Sequence, residues 1–244
     1  MHNLVIDIGN TNSKLAVFKE KELVHFERLK ELNQIELTKL IEKYQIQNAT
    51  VSSVNKDVEQ LGAFLKQSVN YQPFTTKNIG GIKNNYQTLN TLGLDRWAKV
   101  IAAKQLYANR NCLIIDAGTC ITYDVLTENS EYSGGSISLG IHMRFEALHH
   151  FTGKLPLIEW DRSQPIPAGT NTENAIKSGV LQGVMNEVEG FIASENAKNA
   201  ELLILLTGGD ANFLMEQLKN SIFASQITHD PYLVLKGLNE VITL

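Results

Sequence analysis

Residues 4–17 read LVIDIGNTNSKLAV, the strongest structural signal in the sequence. Three aliphatic residues lead to Asp7, Gly9 follows, and a polar run separates them from a second apolar segment. This order is typical of two strands joined by a turn, because aliphatic residues favour strands and Gly, Asn and Ser favour turns. A plain hairpin needs only about two turn residues. Asp7 and the longer polar run therefore predict a turn that binds phosphate and metal.

The pattern occurs a second time at residues 113–126, which read LIIDAGTCITYDVL. Asp116 takes the place of Asp7, and Gly118 takes the place of Gly9. One Asp-x-Gly is common by chance, but two copies at the starts of similar-sized halves indicate an internal duplication. We therefore predict two domains, residues 1–110 and residues 111–244.

The remainder of each half alternates helical and strand patterns. Helices are predicted near 33–44, 58–67, 95–108, 141–151, 172–195 and 232–241, and further strands at 49–54, 132–138, 202–206 and 227–228. Antiparallel strands followed by strands that alternate with helices favour two mixed α/β halves facing one another. A cleft between such halves is a natural place for a nucleotide.

The bulk composition is that of a globular protein, with 43% apolar and 20% charged residues. A net charge of −4 gives no electrostatic reason to expect nucleic-acid or membrane binding. Two cysteines are too few for a disulfide framework or a zinc site. No apolar run approaches the roughly 18 residues of a membrane helix, and Asp7 interrupts the N-terminal apolar stretch. We expect a cytoplasmic protein.

The first turn offers groups that suit phosphate. Gly9 allows a positive φ and close approach of a ligand to the backbone. The N–H groups of 10–13 can cradle phosphate oxygens, and Lys14 can add a positive charge. An ionised Asp7 is costly to bury alone, and a hydrated Mg²⁺ bridging to phosphates would satisfy it. The alternative is that Asp7 only accepts hydrogen bonds from backbone N–H groups in the turn. The second aspartate at the equivalent position, Asp116, favours a role in metal binding over this alternative.

A third glycine-rich strand end occurs at residues 201–210, which read ELLILLTGGD. Gly208 and Gly209 would let an adenine ring lie flat against the backbone. The alternative is a loop that enters a helix with Asp210 as its N-cap. The two interpretations are compatible.

An acid outside the hairpins stands in residues 90–98, NTLGLDRWA. Asp95 lies at the predicted start of a helix, where an acid is ordinarily a cap or a partner of the helix dipole. The adjacent Arg96 allows a division of roles, because the carboxylate can take a proton from a hydroxyl while the guanidinium holds a carboxylate or phosphate. Phosphoryl transfer needs little else from a protein beyond positioning and charge neutralisation.

Five motifs in order resemble those of type III pantothenate kinases over nearly the whole chain. They are DIGNTNSK (7–14), LGLDR (92–96), IIDAGT (114–119), NTENAIKSG (171–179) and LLTGGD (205–210). The resemblance implies an α/β fold of two duplicated ribonuclease H-like (actin-like ATPase) domains with mixed sheets around a nucleotide cleft. It implies ATP-dependent phosphorylation of the 4′-hydroxyl of pantothenate, the first step of coenzyme A biosynthesis. It also implies a homodimer in which the partner subunit helps to complete the pantothenate pocket.

The resemblance further implies roles for individual residues. Asp95 would be the general base. Asp116 would bind a monovalent cation, K⁺ or NH₄⁺, and Asp7 would bind Mg²⁺ through water. The substrate contacts would be Tyr86, Gly93, Leu94, Asp95, Arg96 and Thr172. The ATP contacts would be Asp7, Ile8, Gly9, Asn10, Thr11, Asn12, Ser13, Lys14 and Thr119.

Three other classes of function remain open at this point. A sugar kinase of the same superfamily would phosphorylate hexoses instead of pantothenate. A polymerising actin-like protein would form nucleotide-dependent filaments, but such proteins are expected to be longer. A transcriptional accessory factor would bind DNA, which the negative net charge disfavours.

Overall fold

The computed structural model describes residues 1–9, 11–53, 58–78, 80–199 and 201–242. By its contacts the chain divides into two compact units. The first unit comprises residues 1–109, 129–133 and 232–244, and the second comprises residues 110–128 and 134–231.

The strands are numbered in chain order. They are β1 (His2–Ile8), β2 (Ser13–Lys19), β3 (Glu22–Leu29), β4 (Asn48–Ser53), β5 (Asn70–Tyr71), β6 (Lys83–Asn84), β7 (Cys112–Ala117), β8 (Cys120–Leu126), β9 (Glu131–Leu139), β10 (Leu203–Thr207) and β11 (Ile227–His229). The α-helices are α1 (Gln34–Tyr44), α2 (Val58–Ser68), α3 (Leu94–Leu106), α4 (Ile141–His150), α5 (Thr172–Asn196), α6 (Ala211–Leu218) and α7 (Leu233–Ile242). Short 3₁₀ turns lie at Leu89–Thr91 and Ala224–Gln226.

The sheet of the first unit has the strand order β3-β2-β1-β4-β5. β1 pairs antiparallel with β2 and parallel with β4, so the sheet is mixed. The register of β1 and β2 sets Asp7 opposite Lys14, which confirms the predicted hairpin at residues 4–17. On one face of β1 and β2, the side chains of Leu4, Ile6, Leu15 and Val17 are buried in a core that α1 and α2 cover.

Two helices, α3 and α7, pack closely in the first unit. Gly237 of α7 meets the backbone of Ala98 on α3, where an added Cβ would lie 1.9 Å from the Ala98 carbonyl oxygen. α7 also packs on β1, and the Asn3 amide donates to Asn239 Oδ1 at 2.9 Å. The C-terminal helix therefore belongs to the first unit, although it was predicted within residues 111–244.

The second unit has a mixed sheet with the order β11-β10-β7-β8-β9. β7 pairs antiparallel with β8 and parallel with β10, so residues 113–126 form the predicted second hairpin. β9 begins in the first unit, where its residues 131 and 132 pair in parallel with β6. The long helix α5 contributes buried positions at helical spacing to the core: Ile176, Val180, Leu181, Val184, Met185, Val188 and Ile192.

The predicted helices and strands are confirmed with ends that differ by up to two residues. One prediction, Val54 as the end of a strand, lies outside the described residues. β3 was not predicted, because its charged residues interrupt the apolar pattern and it lies at the edge of its sheet. In the part of the chain that the structure covers, no helix combines the length and hydropathy needed to cross a membrane.

Candidate active site

The N-terminus of α3 presents Asp95 in its first turn, after Gly93 at the N-cap position. The carboxylate turns back along the helix, so that a Cβ added to Gly93 would lie 2.8 Å from Asp95 Oδ1. Any side chain at position 93 would therefore displace the carboxylate. Gly93 and Leu94 also line a cavity of about 420 Å³ with Ser53, Phe74, Thr75, Thr76 and Leu89 to Leu92.

Lys99 lies one turn further along α3 and holds the other oxygen of the same carboxylate. Its Nζ is 3.0 Å from Asp95 Oδ2, and its side chain is buried whereas that of Asp95 is 36% exposed. The pairing follows from the i, i+4 spacing of the two residues on one helix face. Sequence reasoning missed Lys99, although the Asp-x-x-x-Lys spacing at a helix start was a signal that could have found it.

The pKa of Asp95 reflects two opposing effects. Burial raises the pKa, because it disfavours the charged carboxylate. The charge and hydrogen bond of Lys99, with the backbone N–H and charge of Arg96, lower it. The lowering effects dominate, and the pKa of Asp95 lies below its usual value. Asp95 is therefore ionised at neutral pH and can accept a proton or a hydrogen bond.

Arg96 and Tyr86, both predicted substrate contacts, lie together. The Arg96 guanidinium carbon is 5.8 Å from the centre of the Tyr86 ring. Tyr86 stacks in turn on Tyr132, with centroids 6.2 Å apart, and Tyr132 contacts Trp97 at 5.7 Å. The Trp97 indole donates to the Asn78 carbonyl at 2.9 Å, which fixes this side of α3. The structure thus brings Tyr86, Gly93, Leu94, Asp95 and Arg96 into one region of the first unit.

The first hairpin turn lies at the end of β1. Asp7 is buried, and its Oδ2 lies 3.9 Å from Lys14 Nζ. The Gly9 N–H donates to the Asn12 carbonyl at 3.2 Å, which closes the turn. Asn10, a predicted ATP contact, lies outside the described residues. The other predicted contacts, Ile8, Thr11 and Ser13, lie in the same turn or at the adjoining strand ends.

The second hairpin and the diglycine segment meet at one edge of the second sheet. Thr207 pairs with Asp116 in the parallel ladder, and the Asp210 N–H donates to the Ala117 carbonyl at 2.9 Å. Gly208 has a φ of +101°, and an added Cβ would lie 2.4 Å from Asp116 Oδ1. The two motifs therefore form one continuous backbone surface that only glycine at position 208 permits.

Asp210 stands at the N-cap position of α6, as the sequence suggested, but its side chain makes no capping bond. Its buried carboxylate accepts instead from Arg162 Nε at 2.6 Å. The Arg162 guanidinium also lies 5.4 Å from the Trp160 ring. The segment before α5 is thus tied to the diglycine loop, a contact far apart in sequence that no local pattern indicates.

Thr119, the predicted phosphate contact of the second hairpin, is exposed at the turn. Its carbonyl accepts from the Gly140 N–H at 3.1 Å, and an added Cβ at Gly140 would lie 2.2 Å from that oxygen. α4 therefore starts directly against the turn. Arg144 supports this junction, because its Nε donates to the Leu139 carbonyl at 2.9 Å and its Nη2 lies 2.5 Å from Glu187 Oε2.

Thr172, the remaining predicted substrate contact, begins α5 in the second unit. Asn171 caps this helix by accepting from the Asn174 N–H at 2.9 Å. Thr172 lines a largely apolar groove of about 780 Å³ between α4 and α5, together with Leu148, Phe151, Ile176 and Val180.

Metal ligands are not clustered in the part of the chain that the structure describes: no group of three or more His, Cys, Asp or Glu side chains could hold an ion. Asp7 and Asp116 each stand as a single carboxylate at a strand end. Single carboxylates suit ions whose remaining ligands are waters, backbone carbonyls or phosphates.

Comparison with solved structures identifies the class of fold. A Baf family protein from Campylobacter jejuni has a TM-score of 0.63 at 23% identity, covering 98% of this chain and 97% of its own. The activator of 2-hydroxyisocaproyl-CoA dehydratase from Clostridium difficile, solved with bound ADPNP, has a TM-score of 0.55 at 14% identity, covering 99% and 93%. Sugar kinases also share the architecture. The chain shares the mixed α/β fold of these proteins.

Comparison with sequences is more specific. The family model for type III pantothenate kinase matches residues 3–194. A type III pantothenate kinase from Christiangramia forsetii is 41% identical over 242 residues, covering 98% of this chain and 97% of the relative. The chain belongs to the type III pantothenate kinase family.

We predict that Gly208→Ala lowers the free energy of unfolding by at least about 2 kcal/mol, because the new Cβ combines an unfavourable φ with overlap on Asp116. Gly209→Ala is the matched control, since nothing lies within 4 Å of its added Cβ, and it should change the value by less than about 1 kcal/mol. Urea unfolding followed by tryptophan fluorescence measures both. Equal effects of the two substitutions would contradict the close packing at Gly208.

Proposed function

We propose that this protein transfers the γ-phosphate of ATP to the 4′-hydroxyl of pantothenate, the first step of coenzyme A biosynthesis, with Asp95 as general base. The observation that carries the proposal is the Asp95 carboxylate, held ionised at the start of α3 with Arg96 and Tyr86 beside it. Membership of the family is the reason to propose pantothenate as the phosphate acceptor, and the chemistry of the site fits this acceptor.

The proposed step balances as a direct displacement. The 4′-hydroxyl oxygen forms a bond to the γ-phosphorus while the bond from that phosphorus to the β,γ-bridging oxygen breaks, and ADP leaves. The hydroxyl proton passes to Asp95. A carboxylate with a lowered pKa is a weak base, so it first orients the hydroxyl by accepting its hydrogen bond and takes the proton late. This order suits a loose transition state for phosphoryl transfer.

Arg96 and Tyr86 are proposed to bind pantothenate. A guanidinium can hold the substrate carboxylate through two parallel hydrogen bonds, and the Tyr86 ring lies beside the Arg96 guanidinium. Gly93 and Leu94 line the adjacent cavity and leave room beside the reacting carboxylate. Thr172 is proposed as a further contact on the basis of the family motif alone.

The two hairpin turns are proposed to bind the ATP phosphates, within two duplicated ribonuclease H-like domains. Their common Asp-x-Gly pattern at equivalent strand ends supports this. In the proposal, residues 7–14 and Thr119 contact the phosphates, Asp7 binds Mg²⁺ through water, and Asp116 binds K⁺ or NH₄⁺. Carboxylate oxygens fit these hard cations. When bound, Mg²⁺ neutralises charge on the phosphate oxygens.

A homodimer is the proposed assembly, and a cytoplasmic location remains a prediction. The apolar groove between α4 and α5 supports self-association, because Phe151 on its rim is 82% exposed. Ile137 and Leu139 of β9 are also exposed. Apolar side chains grouped in this way commonly mark an interface between chains.

The first test is an assay of ADP release that depends on pantothenate. Asp95→Asn should lower kcat by about 10²–10⁴-fold with little change in KM, because the asparagine cannot accept the proton. Glu36→Gln, which also alters an acid in the first turn of a helix, is the matched control and should keep wild-type activity. Near-normal turnover of Asp95→Asn would refute the base assignment. ADP release with hexoses instead of pantothenate would indicate a sugar kinase.

The cation proposal predicts activity in K⁺ or NH₄⁺ buffers and a loss of at least about tenfold in Na⁺ alone. Asp116→Asn should be weakly active in all three buffers, because the cation ligand is absent. Initial rates at saturating ATP and Mg²⁺ measure this. Equal wild-type rates in the three buffers would contradict the role of Asp116.

The dimer proposal predicts that Phe151→Asp shifts the protein to a monomer, because it buries a charge in an apolar contact. Ile222→Asp is the control, since Ile222 is 87% exposed but does not line the groove. Light scattering coupled to size-exclusion chromatography gives the mass of each. A monomeric wild type would contradict the dimer.

A further inference from the structure

We propose that Lys99 is a positioning residue for phosphate transfer: its buried ammonium holds Asp95 by Oδ2 and so leaves Oδ1 to meet the acceptor hydroxyl. This inference rests on the proposed role of Asp95 as the base. Lys99 is a buried residue of α3, and it is not proposed to contact the substrate.

The burial of Lys99 is the first step of the argument. Its side chain is about 1% exposed, whereas lysines are almost never fully buried unless they are paired. Removing an ammonium from water carries a large free-energy cost that an apolar residue at the same position would avoid. The neighbouring α3 positions are indeed apolar and small, such as Ala98, Ala102 and Ala103. A buried charge at position 99 therefore needs a reason beyond packing.

The geometry of Asp95 supplies that reason. Oδ2 lies 3.0 Å from Lys99 Nζ, and Oδ1 lies on the side of Gly93, beside the cavity at the helix start. The two oxygens thus face different surroundings, and the bond from Lys99 to Oδ2 restricts rotation of the carboxylate. A base must lie within hydrogen-bond reach of the proton that it accepts, so fixing one oxygen also fixes the other.

The charges around Asp95 determine how the pair responds to pH. Lys99 and Arg96, both on α3, lower the pKa of the carboxyl, and burial opposes them. Of the elements packed on α3, α7 has Lys236 and Glu240 as its charged residues, and β4 has no titratable residue. Glu131 of β9, next to Tyr132, is paired with Lys83 at 2.8 Å. Removing the Lys99 charge leaves burial opposed by Arg96 alone.

The sign of the expected change follows from these opposing effects. With Lys99 present, Asp95 stays ionised as the pH falls well below neutrality. Without Lys99, the pKa of Asp95 rises, because the adjacent opposite charge that favours the ionised carboxylate is lost. The acidic limb of the rate profile should therefore move to higher pH.

The experiment is a kcat–pH profile of the full chain for wild type, Lys99→Met and Lys104→Met, with ADP quantified by chromatography. Methionine matches the length of lysine without its charge. The ratio of kcat at about pH 8 to kcat at about pH 5.5 should be about tenfold larger for Lys99→Met than for wild type. Lys104→Met, on the same helix but away from Asp95, should follow the wild-type profile.

Two further variants separate positioning from a merely structural effect. In an Asp95→Asn background, Lys99→Met should change the residual rate by less than about twofold, because the residue it positions no longer acts. Lys99→Arg restores a positive charge and should return the acidic limb toward the wild-type pH. Circular dichroism at each pH confirms that the compared variants are folded.

Each outcome is decisive for one proposal. If Lys99→Met gives a profile that equals the wild-type profile multiplied by a constant, Lys99 does not set the ionisation of Asp95, and the inference is wrong. If Lys99→Met lowers the rate equally in both backgrounds, its role is structural and the inference is also wrong. If wild type shows no pantothenate-dependent ADP release, the proposed function fails instead.

Discussion

The contact between α3 and α7 is the constraint on which the first unit depends. Gly237 allows the two backbones to approach at Ala98, and this closeness buries α3 from Arg96 to Ala103. A helix enclosed in this way has fixed side-chain positions, because interiors are packed as densely as organic crystals. Asp95, at its open end, therefore stands on a rigid support. Rigid placement is what phosphoryl transfer asks of a protein.

Close backbone approach organises the second unit as well. Gly208 lies against Asp116 and Ala117, and Gly140 lies against Thr119. Neither contact leaves space for a side chain at the glycine, so two other segments pack directly against the turn of the second hairpin. The first hairpin turn is closed differently, by the Gly9 to Asn12 hydrogen bond. The repeated sequence pattern thus has different tertiary support in each unit.

Local patterns predicted most elements because periodicity and turn chemistry are local. The hairpins, the helices that begin near residues 33 and 172, and the strand before Gly208 followed from neighbouring residues. β3 was not predicted, since an edge strand tolerates charged residues. The placement of α7 was not predicted either, since a helical pattern does not indicate on which sheet the helix will pack. Lys99 was not predicted, because the burial that distinguishes it from an ordinary surface lysine depends on tertiary packing.

Local sequence patterns were enough to predict two strand-turn-strand motifs, the helix that carries Asp95 and Arg96, and the family to which these motifs point. Each depends on residues that are neighbours along the chain. The packing of distant segments places Tyr86 beside Arg96, ties Arg162 to Asp210, and buries Lys99 in a helix that packs on α7. The physical reason is that contacts between distant segments depend on how apolar faces pack, which the order of residues within one segment does not specify.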